Sequence, residues 1–255
     1  MRRFLLPGLL IVLGLLTWQR TRVAAILLSV TNHVTADPAA DRVAEVRPRR
    51  GEEVKALCTK AGLTYPPKEL FLRGFKAERE LEAWARNDGG EFRRIITWPV
   101  LAASGDPGPK RMEGDRQVPE GCYKVAVFNP RSRFHLSLGL DYPNASDRVR
   151  SDREKPGGEI YIHGSNASIG CLALGDPAIE ELYLLALDSR TKHGGEIAVH
   201  LFPTRMQGEN WEQLKATTPE HTAFWQELEP IYLAFEKTHR RPAVQVDSNG
   251  RYSLK

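Results

Sequence analysis

Residues Ile160–Leu174 read IYIHGSNASIGCLAL. Ile160 and Ile162 alternate before His163, and Leu172 and Leu174 alternate after Cys171. The pattern predicts two short strands joined by a loop of mostly small residues, Gly164 to Gly170. Such a loop lets backbone approach a substrate closely. Two strand ends therefore carry an imidazole and a thiol around one loop, a layout suited to a cysteine nucleophile and its base. A neighbouring imidazole favours the thiolate, so the spacing predicts a coupled thiolate–imidazolium pair. The thiol would ionise below its ordinary value and the imidazole above its own. Gly170 leaves room for a carbonyl, and the N–H groups of Gly170 and Cys171 suit an oxyanion hole. Taken alone, H-G-x6-C also fits a packed core cysteine beside a strand histidine.

Further motifs surround this stretch. S-G-x-x-G-P-K spans Ser104 to Lys110, G-D-x-x-V-P-E-G-x-Y spans Gly114 to Tyr123, and HLSLGLDYPNASDR spans His135 to Arg148. Together with S-x-G-C they resemble the L,D-transpeptidase catalytic domain, also called the YkuD domain, and most of all its YafK-type branch. The resemblance runs from about Leu70 to about Arg205, and more weakly through Trp211 and Arg241-Pro242. Most of the family places a longer insert between the histidine and an S-H-G-C motif. Here the gap is short, and Ile169 stands in place of the second histidine.

The resemblance implies an α+β fold whose catalytic domain is mainly β, with flanking helices and a C-terminal helical extension. It implies acyl transfer on peptidoglycan stem peptides at meso-diaminopimelate. Cys171 would form the thioester, His163 would move the proton, and the backbone at Gly164 or Ser165 would orient the imidazole. Gly170 and Cys171 would hold the oxyanion. Ser168, Tyr142, Asn144, Asp147 and Arg148 would contact substrate, although an Asx-rich surface turn also accounts for residues 142–156. An amine acceptor completes transpeptidation. Water as acceptor makes a hydrolase, and members of the YafK-type branch detach a wall-bound lipoprotein that way. No metal or organic cofactor is implied. A catalytically silent wall-binding module is the competing class.

The 255 residues suffice for one catalytic domain with extensions. Apolar content of 41% is that of a folded protein, and the formal charge of +4 is mild. No basic run is interleaved with aromatics, so nucleic acid is not favoured as a partner. Residues 1–36 read as a signal peptide or membrane anchor: Arg2 and Arg3 precede an apolar run from Phe4 to Trp18. The expected location is the periplasm or the outer side of the inner membrane, with membrane contact only through that segment. Residues 37–69 read as a linker and a short helix over Glu52 to Lys60, residues 70–205 as the catalytic domain, and residues 206–255 as the helical extension.

Within the catalytic region the resemblance favours a three-strand meander over Leu70 to Val100, turning at Asp88-Gly89-Gly90. Strands are predicted at Tyr123–Phe128, Phe134–Leu140 and Ile197–Phe202. A helix over Ala178–Ser189 is predicted, with Asp176 as its N-cap. A short helix around Trp211 and a longer one from about Pro219 to Thr238 follow, and then a tail with one strand, Ala243 to Val246. Three cysteines leave at least one thiol free. Cys171 is the natural choice, and Cys58 and Cys122 are available to pair. No C-x-x-C or H-E-x-x-H spacing supports a zinc site from His163, Cys171, His193 and His200. His200 is the next candidate for the base.

Overall fold

A computed structural model describes residues 42–255. The expected export segment, residues 1–36, lies outside the described residues. Among the described residues no helix is long and apolar enough to cross a membrane.

The frame is a mixed eight-stranded sheet flanked by helices, an α+β fold. Its strands are β1 (Glu69–Phe75), β2 (Glu80–Arg86), β3 (Arg93–Pro99), β4 (Gly121–Asn129), β5 (Ser137–Leu140), β6 (Tyr161–His163), β7 (Leu172–Ala173) and β8 (Ala198–Phe202), in the spatial order β3-β2-β1-β8-β4-β5-β6-β7. The β1–β8 and β6–β7 pairs are parallel and the others antiparallel. The expected meander is present as β1–β3. Residues 78–86 contain good helix formers, yet pairing with β1 on one side and β3 on the other holds β2 extended.

β1 is buried on both faces, and its period of two sorts its side chains into separate cores. Leu70 and Leu72 enter the larger core with α1 (Arg42–Lys60) and α3 (Asp176–His193), through Val46, Val54, Ile179 and Leu182. Phe71 and Phe75 point the other way, towards α4 (Glu209–Thr217) and α5 (Pro219–Thr238), where they meet Phe235 and Tyr232. The extension is thus packed onto the sheet, and it ends in a hairpin of β9 (Val244–Val246) and β10 (Tyr252–Leu254).

Two sequence expectations need correction here. α1 begins at Arg42, so much of the expected linker is helical despite Pro48. Arg47 pairs with Asp188, and Arg49 and Arg50 pair with Glu180, which fastens this polar helix to α3. Phe134 lies outside β5, which starts at Ser137. Between β5 and β6, Ala145–Arg150 forms a short helix, α2. Cys58, Cys122 and Cys171 are all free thiols.

Beyond β3 the chain turns onto β7. Leu101 N–H donates to Ala173 O at 2.8 Å, and Ala173 N–H donates to Ala102 O at 3.1 Å. This contact starts the Gly- and Pro-rich segment 104–119 beside the strand that follows Cys171.

Candidate active site

In the β6–β7 pair, Ile162 faces Leu172 and His163 faces Ala173. One residue earlier the same register sets Cys171 beside Tyr161, whose N–H donates to Cys171 Sγ at 3.4 Å. The thiol donates to Glu159 O at 3.6 Å. His163 thus ends β6 and Cys171 immediately precedes β7, two positions apart in the extended register, with no hydrogen bond between them.

His163 is only 2% exposed. Its Nδ1 lies 2.6 Å from Gly164 O. A carbonyl oxygen can only accept, so Nδ1 carries the proton and the neutral ring keeps its lone pair on Nε2. Phe134 packs against the imidazole at a 36° tilt, with ring centroids 4.7 Å apart. The turn that supplies the carbonyl is fixed by Asp176, whose Oδ1 accepts from Ser165 N–H at 2.8 Å. A Cβ at position 164 would lie 2.6 Å from that oxygen and 2.8 Å from Phe134 O, so glycine is required there. Asp176 is therefore not the helix cap that its sequence position suggests. The N-cap of α3 is Gly175, without a side-chain cap bond, and the carboxylate is committed to the turn after His163.

The loop ahead of Cys171 closes on itself. Cys171 N–H donates to Ser168 Oγ at 2.8 Å, and Ser168 Oγ donates to Cys171 O at 2.7 Å. This places Ser168 in a loop-closing role and occupies one of the two expected oxyanion donors. Gly170 N–H has no hydrogen-bond partner among the described residues. The residue has φ +119°, a conformation open to glycine, and a Cβ there would sit 3.3 Å from Gln117 O.

Cys171 opens onto a cleft of about 810 Å³ whose walls include Lys110, Arg116, Gly157, Glu159 and Ile169. Ile169, which stands in place of the family's second histidine, is 83% exposed on the rim. Lys110 is buried, and its Nζ donates to Asp115 Oδ1 at 2.6 Å and to Met112 O at 2.8 Å. Asp115 also accepts N–H groups from Arg111, Met112 and Gln117, which makes it the hub of the segment. Tyr142 stands behind this wall, with Lys110 Nζ 6.0 Å from its ring centre and its hydroxyl donating to Pro156 O at 2.8 Å. Sequence reasoning passed over Lys110, Asp115 and Arg116 as site residues. The available signal was the lysine of G-P-K followed by G-D.

Burial pushes the Cys171 thiol up, while Tyr161 N–H and the Lys110 charge pull it back and Glu159 opposes them. Burial pushes His163 down, against the Gly164 contact. Both directions run against the expected thiolate–imidazolium pair, and burial is the leading cause of each. Alkylation of Cys171 should therefore show a pH midpoint above that of an ordinary thiol, and His163→Ala should leave that midpoint in place. A base at His163 would have to be neutral, so the acid limb of any activity it supports should fall below the ordinary histidine range. A midpoint below the ordinary thiol range that rises in His163→Ala would instead establish a preformed ion pair.

Three expected substrate contacts lie elsewhere. Asn144 caps α2, accepting from Ser146 and Asp147 N–H groups and donating to Cys122 O at 2.9 Å and Tyr252 Oη at 2.7 Å. Asp147 completes the capping box through Asn144 N–H and is raised to about 6 by burial, with Arg111 and Tyr123 as polar neighbours. Arg148 is exposed on α2. The structure brings none of them to the cleft lining. His200 sits in β8, cross-strand from Cys122 and lowered to about 3 by burial. β4, β5 and β6 separate it from β7, which removes it as an alternative base. His193 lies against Pro66 O, and His135 pairs with Glu180. Among the described residues no group of three or more His, Cys, Asp or Glu is arranged to hold a metal ion.

Comparison with known proteins places this geometry. The sequence profile of the L,D-transpeptidase catalytic domain, YkuD, matches residues 76–193. The L,D-transpeptidase-type protein YafK of Escherichia coli strain K12 is 31% identical over 185 residues, covering 72% of this chain and 72% of the relative. YafK of Escherichia coli O157:H7 matches with the same figures. Among solved structures, the helical cell shape determining protein Pgp2 of Campylobacter jejuni aligns with TM-score 0.45 at 16% identity, over 76% of this chain and 80% of that one. L,D-transpeptidase 1 of Mycobacterium tuberculosis aligns with TM-score 0.30 at 12% identity, over 52% and 61% of the two chains. By its resemblance to YafK over most of both sequences, the chain belongs to the L,D-transpeptidase catalytic domain family.

Proposed function

We propose that the protein is a cysteine-dependent acyl-transfer enzyme of the cell wall, acting on peptidoglycan stem peptides at meso-diaminopimelate. The observation that supports this most is the pairing of Cys171, at the head of an open cleft, with a neighbouring histidine whose tautomer is set by backbone. In this reading Cys171 Sγ attacks the stem-peptide carbonyl while His163 Nε2 accepts the thiol proton. The Gly170 N–H receives the developing oxyanion. Collapse breaks the C–N bond, His163 returns the proton to the leaving amine, and a thioester remains. An amine of a second stem then attacks, His163 takes its proton, and the thiol is restored. Water in place of that amine gives hydrolysis, and a wall-linked lipoprotein is one substrate such a hydrolase could release. Residues 1–36 would carry the domain across the membrane into the periplasm.

Incubating purified protein with muropeptides and reading both products and protein by mass tests the reading. The expected result is an acyl adduct confined to Cys171, together with cross-linked dimers if an amine is the acceptor or shortened stems if water is. A protein that binds wall fragments and forms neither adduct nor product would be a silent wall-binding module.

A further inference from the structure

The matched span ends at residue 193, yet residues well beyond it reach the wall of the cleft through one buried carboxylate. Glu120 is fully buried. Its Oε1 accepts from Gly108 N–H at 3.0 Å and lies 3.0 Å from Lys76 Nζ, while its Oε2 accepts from Trp225 Nε1 of α5 at 2.7 Å. Lys76 Nζ donates in turn to Gly108 O at 2.6 Å and Val118 O at 3.0 Å. One turn earlier on α5, His221 closes over Gly108, where an added Cβ would fall 2.2 Å from its Nε2. Lys76, just after β1, thus ties both ends of segment 108–118, and α5 reaches the Gly108 end through Glu120 and His221.

Between these ties the segment carries Lys110 and Arg116 into the cleft. Its backbone is also the surface beside Gly170, where a Cβ would lie 3.3 Å from Gln117 O and 3.7 Å from Arg116 C. A buried carboxylate that loses a donor must find another or shift. The other donors to Glu120 belong to the segment itself and to its β1 anchor, so loss of the Trp225 bond is transmitted there.

We propose that the C-terminal helix positions the catalytic wall: Trp225, acting through Glu120 and Gly108, holds segment 108–118 against Gly170 and Cys171. Trp225 and Glu120 are positioning residues, and the extension is part of the site's machinery. This rests on the reading of Cys171 as nucleophile.

The test compares Cys171 alkylation by iodoacetate and by iodoacetamide, whose ratio reads the local charge. The segment contributes Lys110, Glu113 and Arg116 to the cleft, and the facing wall contributes Glu154, Lys155 and Glu159. Trp225→Phe keeps an aromatic ring in the contact with Trp211 and removes the N–H donor. The iodoacetate-to-iodoacetamide ratio should fall by about threefold as net positive charge withdraws. His221→Ala, at a half-buried position, should lower it in the same direction. Leu228→Ala, fully buried in the same core, should lower Tm and leave the ratio at the wild-type value. A wild-type ratio in folded Trp225→Phe or His221→Ala, or an equal fall in Leu228→Ala, overturns the proposal. Alkylation needs no wall substrate. A lowered ratio with no muropeptide chemistry would therefore retain the positioning role and reject the acyl-transfer reading.

Discussion

Replacing Cys171 by alanine is expected to abolish turnover on muropeptides, by at least about 10⁴-fold, while the protein stays folded. The loss follows from the covalent route, because without sulfur no thioester forms. The fold should tolerate the change because Sγ makes only two polar contacts, with Tyr161 N–H and Glu159 O, on a half-buried cleft wall. Intact mass after incubation should show no acyl adduct, and the thermal transition should move by no more than a few degrees. Cys171→Ala with activity within about tenfold of wild type, a difference of about 1.4 kcal/mol in barrier, would remove the cysteine from the chemistry.

Arg73→Ala is expected to cost about 3–5 kcal/mol of stability, the range for breaking a buried ion pair by deleting one partner. Arg73 is 1% exposed in the middle of β1, cross-strand from Glu82. It lies 3.5 Å from Glu82 and donates to Glu236 of α5 at 2.6 Å. Its guanidinium also lies 4.5 Å from the ring centre of Phe235 and 5.0 Å from that of Tyr232. Truncation would open a cavity against α5 and leave Glu236 unpaired. Glu82 would keep Arg205 at 2.9 Å. Because Arg73 Nε and Nη2 have no acceptors among the described residues, Arg73→Met should recover much of the loss by restoring volume without those unmet donors. Denaturant melts of both variants provide the check. A cost below about 1 kcal/mol for alanine, the size of an ordinary surface change, would show that α5 is held without the arginine.

Local pattern and linear motif account for what was legible in sequence. Strand alternation around His163 and Cys171 identified β6 and β7, and the apolar stripe of Phe224, Leu228, Ile231, Tyr232 and Phe235 identified α5. The remainder depended on partners distant in the chain. The early start of α1 rests on ion pairs with Asp188 and Glu180, which no local propensity reports. Asp176 sits where a helix cap belongs, and only the folded loop shows that Ser165 N–H has recruited it. Asn144 and Asp147 form a capping box, an N-x-x-D pattern visible in sequence and read there as substrate contacts. Spacing along the chain puts a thiol and an imidazole on neighbouring segments, but it does not report the burial that works against charging either of them.

β1 also constrains the order in which the molecule can be completed. Its parallel partner β8 is synthesised long after it, and until Ala198–Phe202 exist both β1 and β4 present open edges. Such distant pairing is slow to close and leaves the growing chain exposed to wrong partners. Cys171 and β7 leave the ribosome ahead of α5, whose Trp225 and His221 reach Glu120 and Gly108. The nascent chain therefore carries the Cys171 thiol before the residues that hold segment 108–118 have been made.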